Sequence, residues 1–378
     1  MSNSSYAMSF SQRRALGGVL LVLLTLGLVA LALAADSMLL AMIASAAETP
    51  KNERYTLTGA HVAIYNIAGE LKVQAATGKA VEVEVTRDGS DAGQLAIKTG
   101  PIGEKQTLRV IYPSDRIVYP KMGHGSRTDL HIRDDGTFND GGNDWADRTT
   151  VSGSGSGLEA HADLLVKVPA GQTIDFNWAV GTVSLTNVDG HIKVDVGSAD
   201  ITATGTRGVL SLDTGSGDLR LSKIAGDVTC DTGSGDVELS AVNCDRFKAD
   251  TGSGDIEGTD LVADDVNLDT GSGDIRVGSV KSGHVSLDTG SGSVDIGLAA
   301  DIEKLAVDTG SGDITVRVPK GLGAEVTIES SSGDINTDLP LELIHHGSDN
   351  LRGRLGDGRG SMHLETGSGS VRLMAAKQ

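Results

Sequence analysis

Aromatic residues are scarce in this chain: four Phe, five Tyr and two Trp make up 3% of 378 residues. Sugar-processing solenoids usually present rows of exposed rings, and a chain with only Trp145 and Trp178 has no tryptophan row to offer. Cysteine is scarcer still. Cys230 and Cys244 are too few for a disulfide framework, although two thiols in an oxidising compartment could pair with each other. Their spacing fits no zinc motif, which needs about four ligands. Positive charge is outnumbered: 32 Lys and Arg stand against 51 Asp and Glu, a net charge of −19. That balance argues against nucleic acid, which requires clustered cations, and against attraction to an anionic membrane surface. Proline is held to 7 residues while Gly reaches 51 without a three-residue period, so the chain is neither collagen nor a Pro-rich disordered polymer. No GxSxG, HExxH or phosphate-binding GK[ST] loop occurs. Nine histidines are scattered, and the His345-His346 pair is adjacent rather than spaced for a metal site.

The N-terminus carries the one long apolar run. Arg13-Arg14 follows a polar start, and Ala15 to Ala35 is rich in Leu, Val and Ala. A basic n-region before an apolar h-region reads as an export signal. Small residues suited to cleavage lie at Ala32-Leu33-Ala34 and Ala44-Ser45-Ala46. The run is also long enough for an uncleaved anchor through residues 15–35. Both readings make residues 1–47 a signal peptide or membrane anchor and place the rest in the periplasm or cell envelope. The Arg pair has a twin-arginine flavour, but "QRRALGG" lacks most of that pattern.

What the chain has in abundance is a repeat. In Val266-Asn-Leu268-Asp-Thr-Gly-Ser-Gly273-Asp-Ile275-Arg-Val277, apolar residues alternate on each side of a Gly-Ser-Gly turn. Period two is a strand with one buried face. The first apolar position recurs at Ile174, Ile192, Leu210, Val228, Phe247, Val266, Val285, Leu305, Val326 and Met362. The Gly seven residues on is kept in every copy but one, where Ala199 stands. The coils are 18–21 residues long, except for a final spacing of 36 filled by the irregular stretch from Leu339 to Arg359. Such a period means stacked units, each too small to bury its apolar face alone. The expected fold is all-β, a parallel β-solenoid whose strands bond to their equivalents about 4.8 Å away, giving a rod about 50 Å long. Positive φ in tight turns is the expected use of so much Gly.

An upstream copy runs through Val62, Ile64, Gly69, Leu71 and Val73, and alternation continues at Val81–Val85 and Leu108–Val110. Residues 48–112 are therefore expected as less regular β-rich coils. Residues 113–157 include "DDGTFNDGGNDWADRTTVSGSGSG" and read as a long flexible Gly/Asp-rich insertion. Residues 158–378 hold the regular repeats.

An export signal, then "LLVKVPAGQTIDFNWAVGTVSL", then "LDTGSGDI"-like repeats resemble the bacterial putative-adhesin family of β-strand-repeat domains of unknown function. The likeness covers about residues 55–375. It implies a single-stranded, right-handed β-helix in the cell envelope, and residues 113–157 depart from it.

Two acidic ladders follow from the phasing. One is Asp213, Asp231, Asp250, Asp269, Asp288 and Asp308, each opening a "DTGS". Aspartic proteases use that tetrapeptide in two loops that face each other, whereas six phased copies would stack in a row. The other is Asp218, Asp236, Asp255, Asp274, Asp313 and Asp334, with Ser293 interrupting. Turn chemistry, in which Asp accepts bonds from nearby amides, explains such ladders. Calcium held between coils is the sharper alternative. The sequence thus points to a non-enzymatic envelope protein, an adhesin or scaffold presenting a repetitive surface to an envelope or cell-surface partner. The alternatives are a periplasmic signalling or stress-linked binding protein, and a polysaccharide-active β-helix enzyme. The last would need acids or bases clustered in a groove.

Overall fold

The structure, a computed structural model, describes residues 52–139 and 147–376. The segment read as signal or anchor and Trp145 lie outside the described residues.

The repeats at Ile174 and Ile192 run as single long strands, Gln172–Thr186 and Asp189–Thr204. From Leu210 to Leu305 each repeat folds as one coil of two short strands joined by the Gly-Ser-Gly corner. Coils stack in parallel, and the first strands keep one register: Leu210 sits on Val228, Val228 on Phe247, Phe247 on Val266 and Val266 on Val285. The second strands stack likewise, Leu219 on Val237 on Ile256 on Ile275, but shift register between Val277 and Val280. Among the described residues the result is one continuous 26-stranded sheet wrapped round a core of Val, Leu and Ile, its stack of first strands and its stack of second strands forming a first and a second sheet face. All ten first positions are buried, and so are Leu212, Cys230, Ala249, Leu268, Leu287 and Val307 at the second. The upstream copy forms the first full coil, with Val62 on Ile174, Gly69 on Gly181 and Leu71 on Val183.

Beyond that coil the N-terminal region departs from expectation. Only His61–Ala75 is a coil. Lys105–Ile111 pairs with one half of it and His161–Val168 with the other, and antiparallel strands close both sheets: Ala96–Ile102 on the first, Val81–Asp88 and Glu53–Leu57 on the second. These strands cap the stack rather than extend it.

Residues 113–157 are not the structureless excursion expected. Arg116–Val118, Arg127–Ile132 and Asp147–Ser152 form a three-stranded sheet. Ile117, Tyr119, Phe138 and Val151 bury a second apolar cluster against the outer side of the first coils, on Ala63, Tyr65, Ile67 and Val180. Tyr65 meets Phe138 edge to face, ring centres 5.9 Å apart. The cause is visible in "VAIYNIAG", eight successive buried residues with Asn66 the one strongly polar side chain, where later coils alternate. A strand covered on both faces reads that way.

The last coils stack out of sequence order. Lys304–Thr309 pairs not with Ala324–Ser330 but with Gly360–Thr366, which lies between them: Leu305 meets Met362, and Met362 meets Val326. The second strands repeat the order, Ile314 on Val371 on Ile335. The spacing of 36 therefore does not mark a skipped level. Its excursion holds Glu342–His346 and Asn350–Leu355, antiparallel strands that close the end of the stack against Ala324–Ser330.

Candidate functional site

Two surfaces carry the chain's polar chemistry: the rim where the two sheets meet at the Gly-Ser-Gly corner, and the outer face of the second sheet.

The rim begins inside. The Thr of each "DTGSG" is buried, and its hydroxyl joins two coils. Thr270 Oγ1 donates to the Gly254 carbonyl of the preceding coil at 2.8 Å and accepts from its own coil's Gly273 amide at 3.1 Å. Thr232, Thr251, Thr289, Thr309 and Thr366 repeat both bonds. The motif's second glycine has a packing reason. A Cβ on Gly273 would lie 1.9 Å from the Gly254 carbonyl oxygen, and its φ is not left-handed. The expectation of positive φ fails at these corners; coil-to-coil clearance is what demands Gly. Left-handed backbone does recur at a second corner, where Asn187, Lys223, Ala241 and Asp260 adopt φ of 52–56°.

The two Asp ladders differ in kind. In the second, the carboxylates up to Asp313 accept a hydrogen bond from the equivalent amide of the next coil: Asp236 N to Asp218 at 3.1 Å, Asp255 N to Asp236 at 2.9 Å, Asp274 N to Asp255 at 2.8 Å, and likewise Ser293 N to Asp274. Ser293 takes the role where Asp is missing, accepting from Asp313 N at 3.3 Å. Asp313 accepts from Ser370 N, and Ser370 Oγ from Asp334 N, which follows the reordered coils. Arg220, Arg276 and Arg372 pair with Asp218, with Asp255 and Asp274, and with Asp313. The amide from Ser370 and the Arg372 guanidinium hold the Asp313 carboxyl below the usual range.

The first ladder has no such support. Its carboxylates stand in register on one face, Asp195 beside Asp213 and on through Asp231, Asp250, Asp269, Asp288 and Asp308 to Glu365. Lys248 lies 3.8 Å from Asp250, and Asn139 donates to Asp195 at 2.7 Å. Burial, then the neighbouring carboxylates, push the Asp213, Asp269 and Asp288 carboxyls up. The row offers one carboxylate per coil. Among the described residues no three His, Cys, Asp or Glu side chains converge to hold a metal ion.

The second sheet's outer face carries a cleft of about 620 Å³ that reading along the chain missed. Arg220, Glu238, Glu257, Arg276 and Asp295 form one in-register column. Beside it run Ser222, Ser240 and Thr259, then Gly278 and Gly297, ending at Arg317. Arg276 bonds Glu257 at 2.9 Å, and Arg317 grips Asp295 with both nitrogens. Charged side chains are thus gathered in a groove after all, but as ion pairs, with each guanidinium on a carboxylate. The signal lay in the residue after each second strand's first apolar position, and it appears only once coils are aligned.

Other singled-out residues lie elsewhere. Cys230 and Cys244 are free, buried thiols rather than a disulfide, and burial pushes both up to about 12. His345 and His346 are exposed on the end strand. Trp178 is fully buried, its indole donating to the Gly69 carbonyl at 2.9 Å.

Solved structures similar to the chain include three proteins. One is a putative cell adhesion protein from Clostridium sporogenes, 13% identical over 87% of this chain and 100% of that one, TM-score 0.20. Another is a putative lipid binding protein from Parabacteroides distasonis, 12% identical over 88% and 98%, TM-score 0.41. The third is a putative adhesin from Bacteroides fragilis, 12% identical over 88% and 99%, TM-score 0.33. No curated protein matches the chain. The Toastrack DUF4097 family model matches residues 163–374, the regular solenoid itself, and the chain belongs to that family.

Proposed function

We propose that this is a non-enzymatic, exported protein of the cell envelope that uses the solenoid as an adhesive or scaffolding surface. The observation that carries the reading is register. The outward side chains of the first strands are held in columns with their equivalents, so one coil's chemistry is multiplied along the stack at about 4.8 Å per step. Such a surface suits a long or repetitive partner, because weak contacts add up when many are made at once. Export is supported by the basic and apolar N-terminal sequence. Fractionation of the native host tests the location, and attachment of cells lacking the protein tests the role. Full-length protein in the cytosol, or unchanged attachment, would contradict it.

A further inference from the structure

The cleft on the second sheet is made by departures from the repeat. Outward positions that hold Ser222, Ser240 and Thr259 in three coils hold Gly278 and Gly297 in the next two, so the column sinks into a trough ending at Arg317. At Gly258 a core side chain is missing as well, and Leu239 leans into its place; a Cβ there would lie 2.4 Å from Leu239 Cγ. From Ser222 to Arg317 the trough crosses five coil steps, about 24 Å.

Its charge is unlike the rest of the molecule. On a chain of net −19, the cleft is lined by three cations, Arg220, Arg276 and Arg317, and three anions, Glu238, Glu257 and Asp295. Each guanidinium already lies on a carboxylate: Arg220 at 3.5 Å from Glu238, Arg276 at 2.9 Å from Glu257, and Arg317 on Asp295. An anionic or cationic polymer would have to break these pairs. A neutral chain would not, and fixed planar carboxylates and guanidiniums beside a hydroxyl floor are suited to hydrogen-bond vicinal diols.

We infer that this trough binds an uncharged linear polysaccharide along the stack. The inference rests on reading the solenoid as a binding surface and names the ligand class. No aromatic ring lines the cleft, so stacking contributes nothing and binding is weak per sugar, growing with chain length over several coils.

Gly278 supplies the test. A Cβ there meets nothing closer than the Gly258 carbonyl oxygen at 3.8 Å, and its φ is not left-handed, so the backbone has room for the side chain that Gly278→Ile projects into the trough. Asn267→Ile, on the exposed face of the first sheet, is the control. The chain as its host produces it is run in native gels containing hydroxyethylcellulose, galactomannan or dextran, with heparin as the anionic comparison. Retardation of wild type and Asn267→Ile by a neutral polymer is expected, with Gly278→Ile weakening the apparent Kd at least about tenfold at an unchanged melting midpoint. The inference is overturned if no neutral polymer retards wild type, if only heparin does, or if the two variants behave alike. Because the assay uses purified protein, its failure leaves the envelope location standing, and a cytosolic location leaves the trough standing.

Discussion

Replacing Asp250, Asp269 and Asp288 together with Asn should stabilise the protein. The three are consecutive members of the unsupported ladder, and the change removes four nearest-neighbour repulsions, from Asp231–Asp250 to Asp288–Asp308. Two charges about 4.8 Å apart in water repel by about 0.9 kcal/mol. Screening near physiological salt leaves roughly half of that, so the four pairs together come to about 2 kcal/mol. One exposed contact, Lys248 to Asp250, is lost and offsets under about 1 kcal/mol. For about 325 folded residues, an apparent melting midpoint some 2–3 °C higher is expected near physiological salt, and a larger gain at low salt, where screening is weak. The gain should shrink as sodium chloride rises. It should also shrink in mild acid, and the sign follows from the raised carboxyls of Asp269 and Asp288. A carboxyl whose folded pKa is raised favours the fold while protonated. That contribution is present below the ordinary Asp value and is lost as pH rises through the folded one. Wild type therefore recovers stability on acidification, and the Asn variant has less to recover. Calcium should act on wild type no more than sodium chloride at equal ionic strength. Calorimetry across salt and pH reads all of this. A less stable Asn variant at low salt would refute the repulsion argument, and a calcium-specific gain that the Asn variant loses would restore the intercoil cation.

Three further outcomes follow from the coil. Thr270→Val strands the Gly273 amide and the Gly254 carbonyl in the core and should cost about 2 kcal/mol, whereas Thr270→Ser should cost less, since Ser330 makes the equivalent bonds at 2.9 Å; denaturant titration measures both. Ala241→Gly should stabilise by about 0.5–1 kcal/mol, because a left-handed Ala at φ 52° costs more than the chain entropy Gly adds, and a destabilised variant would contradict the corner geometry. A cysteine pair at Asp308 and Glu365 should close a disulfide on oxidation, whereas one at Asp308 and Glu329, two levels apart, should not; the reverse result, read by peptide mapping, would restore sequential stacking.

The inward columns were legible because a two-residue period repeated in phase admits one register, and a slip would turn every Val and Leu outward. The coil order was not. "AEVTIES" and "GSMHLET" fit Lys304–Thr309 equally well by pattern, and the choice between them is tertiary. The sheet within residues 113–157 was hidden by strands of three to six residues in a Gly-rich stretch. Its partner surface, "VAIYNIAG", was in plain view as a run without alternation. The ladders were visible as columns of Asp, but which column accepts amides depends on where the corner turns. The trough spans residues about 19 apart that share no local motif.

Native Cys230 and Cys244 are buried, with thiols pushed up to about 12, and so should stay silent to a maleimide. Asn267→Cys adds one exposed thiol on the outer face of the stack. Unbroken cells of the native host, treated with a maleimide that cannot cross the cytoplasmic membrane, give the most direct test of an exported solenoid surface. Labelling of Asn267→Cys but not of wild type in unbroken cells is the predicted result, and labelling that appears only after lysis would contradict it.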